Sequence, residues 1–365
     1  MKFTVNTKEL LLQVNKLMPV INSSSVLPVL ECIKFDLQDG VLTLSASDLE
    51  ITYQTSINVN GNDLNIALPA KVLHDTLKNL PDQPLVFTVD GLNVTIQSEN
   101  GTYKLTGVSA EDFPKAPEPT GDTYEIQSAD LLAGINSTLF AVSSDELRPS
   151  MTGVLFEFTE QGLNFVATDA HKLSKSAYNG ISGEKQHVVP SKGLNVLKSA
   201  VNGLISLQFS NEHLYVSWGG NLVSVRLIDA KYPNYEAVIP TNSKIAEVNR
   251  GELIGSLKRV LLYSNKTTNQ VVLRFANNEL GVNAQDLDFN NEATERLSIN
   301  YSDEDLTIGF NAKYLLDILT HIESDSVRFE LSEPTRAAII RPTEIGNVFM
   351  LLMPVMVENE NYDTL

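Results

Sequence analysis

One cysteine, Cys32, occurs in 365 residues, which excludes an intrachain disulfide framework and a cysteine-based zinc site. It sits in the strand-like run Leu30-Glu31-Cys32-Ile33-Lys34-Phe35 and reads as a small buried hydrophobe rather than a nucleophile. No apolar run approaches the roughly 18 residues of a membrane helix, and Met1-Lys2-Phe3-Thr4-Val5 opens no signal-peptide core. A cytoplasmic location without a membrane partner is therefore expected, and a lone thiol suits a reducing compartment. Catalytic motifs are also missing: there is no G-x-x-x-x-G-K-[ST] loop, no G-x-G-x-x-G after a strand, no H-E-x-x-H and no G-x-S-x-G elbow. His74, His171, His187, His213 and His321 lack metal-ligand spacing, so neither metal nor cofactor is expected. The densest polar cluster is Thr168-Asp169-Ala170-His171-Lys172-Leu173-Ser174. Its Asp169 and His171 could be read as base and orienter, but no nucleophile is assigned to them, and a structural or binding role is the stronger reading.

Positive charge is scarce as well. Lys and Arg number 27 against 45 Asp and Glu, a net charge of −18 that would repel a polyanion as a whole. Divided by element, the balance changes. Six helices are expected over 8–20, 71–80, 128–142, 191–203, 250–264 and 312–323; together they carry +4 on 78 residues and leave −22 on the other 287. Such segregation means more than the total. On charge alone, a general preference of lysine for exposed helix faces explains it equally well.

What is abundant is repetition. Leu68-Pro69-Ala70-Lys71, Val189-Pro190-Ser191-Lys192 and Phe310-Asn311-Ala312-Lys313 place their lysines 121 and 121 residues apart. Strand pairs end at Asp48, Asp169 and Asp286, spaced 121 and 117, and Asp112-Phe113-Pro114 recurs as Lys231-Tyr232-Pro233 after 119. A solenoid repeat is roughly 20–50 residues long, so each unit should be a domain with its own core. The boundaries fall in the Pro-containing connections 115–122 and 239–244, giving domains 1–120, 121–243 and 244–365. Within the first, Leu10, Leu11, Leu12, Val14, Leu17 and Met18 lie on one broad helical side, and a second helix from Lys71 to Leu80 buries Val72, Leu73, Leu77 and Leu80. The strands 33–37 and 41–45 flank the turn Gln38-Asp39-Gly40, and 85–89 and 92–96 form another pair. The class is α+β, two helices packed on antiparallel sheets in each repeat.

These repeats contain a series of more specific runs: Met1-Lys2-Phe3-Thr4-Val5, Val26-Leu27-Pro28-Val29-Leu30, Ala46-Ser47-Asp48-Leu49-Glu50, Leu68-Pro69-Ala70-Lys71, Asp112-Phe113-Pro114, Ala167-Thr168-Asp169-Ala170-His171-Lys172-Leu173, Val189-Pro190-Ser191-Lys192-Gly193, Tyr232-Pro233-Asn234-Tyr235, Ile308-Gly309-Phe310-Asn311 and Leu352-Met353-Pro354-Val355. Their joint order resembles the bacterial DNA polymerase III beta subunit family, the sliding clamps, over essentially the whole chain. The resemblance implies three DNA-clamp domains per chain and a homodimer closed head to tail into a ring, with helices around a central hole and sheets outside. It implies a non-catalytic processivity factor that encircles double-stranded DNA without sequence preference. Its implied partners are the replicative DNA polymerase, a clamp loader, repair polymerases and other proteins carrying a clamp-binding peptide.

Carried onto this sequence, the DNA-facing residues are Lys8, Lys16, Lys71, Lys78, Lys192, Lys198, Arg259 and Lys313. The implied partner-peptide pocket comprises Leu155, Thr168, Ala170, His171, Lys172, Leu173, Pro233, Val238, Asn311, Tyr314, Thr335, Ala337, Leu352, Met353, Pro354, Val355 and Met356. Aliphatic and Met side chains there would accept Leu and Phe anchors of an extended peptide. The implied dimer interface sets Tyr103 and Leu105 against Leu261, Leu262 and Tyr263. Several positions depart from the family. Ser24 stands where a basic loop residue can occur, Asp145 and Glu146 make the loop before Arg148 acidic, Ala170 replaces a usual Gly, Lys172 a usual Arg, and Ala237 an Arg. The chain also continues past the Met-Pro segment as an acidic tail, 358–365, expected either to be disordered or to cover part of the pocket. Two rival readings remain: a three-domain hydrolase using Asp169 and His171, and a monomeric peptide-binding scaffold.

Overall fold

The computed structural model describes residues 1–22, 27–344 and 346–357; Ser24, the start of the run 26–30 and the tail 358–365 lie outside the described residues. Six α-helices are found among them: α1 (Thr7–Leu17), α2 (Ala70–Asn79), α3 (Ser128–Thr138), α4 (Ser191–Ala200), α5 (Arg250–Val260) and α6 (Ala312–Thr320). Each starts within one residue of an expected helix, but all except α2 end three or four residues early. Residues 18–20 form a turn, and Leu139–Ala141 and Leu261–Tyr263 tighten into 3₁₀ turns, a common way to satisfy the last helical carbonyls. Asparagine caps fix several starts. The Asn6 side chain accepts from the Lys8 N–H at 3.0 Å, Asn249 from Glu252 at 2.9 Å, and Asn311 from Lys313 at 3.0 Å and Tyr314 at 3.4 Å. Two side chains expected inside are outside: Leu12 on α1 and Val72 on α2 are 57% and 50% exposed. Leu10, Val14 and Leu17, and Ala70, Leu73 and Leu77, suffice to cover the core-facing stripe of these two helices.

The chain forms two compact units: Met1–Leu131 with Lys192–Leu227, and Leu132–Ser191 with the chain from Ile228 onward. The middle repeat is shared between them. In the first unit an eight-stranded antiparallel sheet runs in the order Asp122–Gln127, Leu204–Phe209, His213–Trp218, Asn221–Arg226, Ile51–Asn58, Val41–Ser47, Cys32–Gln38, Leu64–Pro69. Strands of the first and second repeats meet at its centre, with Ile51 opposite Val225 and Tyr53 opposite Val223. A second sheet runs Asn60–Gly61, Lys2–Asn6, Pro84–Asp90, Asn93–Gln97, Thr102–Thr106. Phe3, Phe35 and Phe87 fill the space under α1 and α2, Phe3 stacking on Phe87 with centroids 4.6 Å apart.

The other unit repeats the plan. Its nine-stranded sheet has Lys172–Tyr178 of the second repeat beside Val348–Leu352 of the third, Lys172 opposite Leu352 and Ser174 opposite Met350. Its four-stranded sheet runs Asn291–Ser298, Glu279–Asp286, Gln270–Ala276, Leu306–Asn311. Leu253, Leu257, Leu315, Phe275 and Phe329 form one core there. Cys32 begins its strand 4% exposed, and burial pushes its thiol up to about 11, away from reactivity at neutral pH.

Candidate functional site

The three aspartates that mark the repeat close hairpin turns. Asp48 Oδ1 accepts from the N–H groups of Glu50 (3.0 Å) and Ile51 (2.6 Å), and Asp169 Oδ1 from His171 (2.9 Å) and Lys172 (2.8 Å). Asp286 Oδ1 accepts from Asp288 at 3.2 Å. These bonds mimic a backbone turn, which is why Asp is wanted at that register. The residue that follows enters the left-handed region in the first two turns, Leu49 at φ 78° and Ala170 at φ 74°, explaining why glycine suits position 170.

Asp169 and His171 do not form a base and orienter pair. Both Asp169 oxygens are engaged, Oδ2 by the Lys172 ammonium at 2.7 Å, and the His171 ring lies against Tyr314 with centroids 5.5 Å apart and planes 16° from parallel. Lys172 is 6% exposed; its Nζ lies 4.6 Å from the centre of the Tyr314 ring and 3.9 Å from Asp317. A desolvated cation on an aromatic face, held by a carboxylate, fixes this corner firmly. The C-terminal segment joins it: Met353 N–H donates to the His171 carbonyl at 2.9 Å, and Val355 N–H to that of Gly309 at 2.8 Å. Asn311 and Tyr314 come from the start of α6 beside it.

Beside this corner lies an apolar cluster. Leu155, Leu173 and Ala337 pack in one cluster with Val166, Val188, Tyr232, Tyr235 and Leu351, and Thr168 is buried at the strand end with its hydroxyl on the Lys172 carbonyl at 2.8 Å. Of the other members, only Tyr232 and Tyr235 carry a sequence signal, the Tyr232-Pro233-Asn234-Tyr235 run; Val166, Val188 and Leu351 read from sequence as ordinary strand residues. Burial, reinforced by Glu157, pushes the Tyr235 phenol far up, so it acts as a neutral donor to that carboxylate. Leu352 belongs to the third repeat's core instead. Pro233 and Pro354 are half-buried, as is Val355, while Ala170, Val238, Thr335 and Met353 are exposed. Met356 borders a different cavity of about 390 Å³, with Asn265, Gln270, Leu287 and Asp288.

The eight expected DNA-facing cations all lie on or immediately beside helices, but they are not equivalent. Lys8, Lys71, Lys78, Lys198 and Lys313 are exposed and make no ion pair among the described residues. Lys16 is half-buried, its Nζ on Gln13 at 2.8 Å and Asn221 at 3.4 Å, and burial lowers its pKa. Lys192 is paired with Asp48, and Arg259 is held by both oxygens of Glu295 at 2.6 Å. That fork keeps the Glu295 carboxyl below the usual carboxylate range. Arg148 is likewise bound to Asp145 at 2.8 Å. Neither Asp48 nor Glu295 is legible from sequence as a neutralising partner, because each is remote in sequence from its cation.

Tyr103 and Leu105 lie on Thr102–Thr106, an edge strand, and Leu261–Tyr263 form the turn after α5, with Leu262 68% and Tyr263 46% exposed. No helix among the described residues is long and apolar enough to cross a membrane.

Comparison with known proteins agrees along the whole chain. The families described as DNA polymerase III beta subunit, N-terminal, central and C-terminal domain match residues 1–117, 125–234 and 236–356. The beta sliding clamp of Pseudomonas putida is 28% identical over 97% of this chain and 100% of its own, and that of Synechococcus elongatus 30% identical over 87% and 88%. Among solved structures, the DNA polymerase III subunit beta of Pseudomonas aeruginosa superposes with a TM-score of 0.95 at 27% identity, covering 98% of this chain and 100% of that one. A sliding clamp from the same organism bound to griselimycin superposes at 0.94, also at 27% identity, with coverage of 98% and 100%.

Proposed function

The chain belongs to the DNA polymerase III beta subunit family and is a DNA sliding clamp, a non-catalytic processivity factor; from that premise we propose that two copies close head to tail around duplex DNA through a third copy of the seam already present twice within each chain. The observation that carries this is register. In the first seam Tyr53, whose hairpin partner is Ala46, faces Val223; in the second, Ser174, whose partner is Ala167, faces Met350. The matching residue in the third repeat is Ala293, opposite Ala284, on the edge strand Asn291–Ser298. The match to Val223 in the first repeat is Tyr103: Val223 faces Val216, and Tyr103 faces Ile96. The inter-copy ladder then sets Tyr103 against Ala293, Leu105 against Asn291 and Lys104 against Glu292, an opposite-charge pair.

On this reading the exposed lysines Lys8, Lys71, Lys78, Lys198 and Lys313 supply a weak, sequence-blind attraction to phosphate, and enclosure supplies retention. The pocket of Leu155, Leu173, Ala337, His171, Tyr314 and Met353 takes a short extended peptide with Leu or Phe anchors from a polymerase, the clamp loader or a repair protein. Without a nucleotide-binding loop, ring opening depends on such a loader, and the cytoplasm is where these partners meet it. The experiment is retention on DNA after loading. A nicked circle should hold the protein far longer than the same molecule linearised with free ends; equal retention would sink the ring.

A further inference from the structure

The turns that close the first two marked hairpins also meet the second helix of the next repeat. Lys192, at the start of α4, is paired with Asp48 of the first turn, and Tyr314, at the start of α6, stacks on His171 of the second. The third turn meets no such helix start among the described residues. It is also built differently. Ser47 pairs with Thr52 and Thr168 with Leu173, each pair enclosing four residues, whereas the matching pair of Gln285 and Glu292 encloses six. The longer turn presents Leu287 and Phe289 at 76% and 74% exposure, with Asp288 between them tied to Asn265 at 3.3 Å. Two large apolar side chains so exposed on one turn call for a cover. The position matching Tyr314 in the first repeat is Val72, itself half exposed on α2 next to Lys71.

We propose that Leu287 and Phe289 form an apolar latch that closes over Val72 at the start of α2 in a second copy of this chain. The proposal rests on the head-to-tail ring and adds to its edge-strand ladder a separate contact on the turn. Charge agrees with this occupant, since Lys71 would approach the acidic turn of Asp286 and Asp288 as Lys192 approaches Asp48. The latch gives the joint between copies an apolar lock at the place where the joint between the first two repeats has the Lys192–Asp48 ion pair.

The dimer dissociation constant of the full chain, measured by sedimentation, tests it. Replacing Leu287→Ser with Phe289→Ser should weaken the dimer at least about tenfold without moving the melting temperature. Val72→Ser should weaken it less, and the triple variant should be no weaker than the loop variant, because the residues share one contact. Leu105→Asp in the edge strand separates the two claims. If it yields monomers while the loop variant dimerises like the parent, the latch is wrong and the ring stands; additive losses from Val72 and the loop would overturn the pairing. If Leu105→Asp leaves the dimer intact, the ladder itself fails and the latch with it.

Discussion

A single dihedral links family likeness to stability at residue 170. The turn Asp169–Lys172 needs a left-handed residue after its aspartate, and Ala170 adopts φ 74° there. A left-handed conformation costs an L-residue roughly 1–2 kcal/mol, and glycine gives back about 0.5–1 kcal/mol of that through the greater freedom of its unfolded chain. Ala170→Gly should therefore raise stability by up to about 1 kcal/mol, read as a higher urea midpoint with unchanged slope. A lower midpoint would show that the alanine methyl makes a contact worth more than the strain. The same side chain is exposed and lies outside the apolar cluster of Leu155, Leu173 and Ala337, so the substitution leaves that cluster intact.

Between elements, the decisive contacts are strand seams, and the proposed third seam can be tested by exchanging charge. Lys104 and Glu292 are both exposed on edge strands, so the pair contributes only about 0.2–1 kcal/mol. Lys104→Glu should raise the dimer dissociation constant severalfold, and adding Glu292→Lys should restore it; no rescue would mean that the register is wrong. Apolar spacing and, for all but α3, an asparagine or proline just before the first turn make the helices legible in sequence, and Asp48, Asp169 and Asp286 mark the turns. The seams are not legible there. Nothing in the alternation of Ile51–Asn58 names Asn221–Arg226 as its neighbour, because period two specifies a face and not a partner. For the same reason the proposed pocket was legible only through resemblance: Leu155 and Leu173 are ordinary buried residues until the second seam brings Leu351 of the third repeat against Leu173.

At the scale of the molecule, a net charge of −18 and a DNA-enclosing role are reconciled by where the cations stand and by which of them are already spoken for. Lys192 and Arg259 lie on basic helices yet are bound to Asp48 and Glu295. A clamp that must slide benefits from such pairing, since every cation locked to a phosphate adds friction. Asp48→Asn keeps the oxygen that caps the turn and removes the charge; Glu295→Gln removes the charge opposite Arg259. Each should free one cation per chain, and each freed cation that reaches a phosphate should steepen the fall of log affinity for linear duplex with log salt by about 0.9. The slope measured between about 50 and about 200 mM salt checks this range directly. Steeper slopes in both variants, with slower diffusion along DNA, would place both cations toward the hole; an unchanged slope in either would show that its cation faces elsewhere and that the pair serves the joint between elements alone.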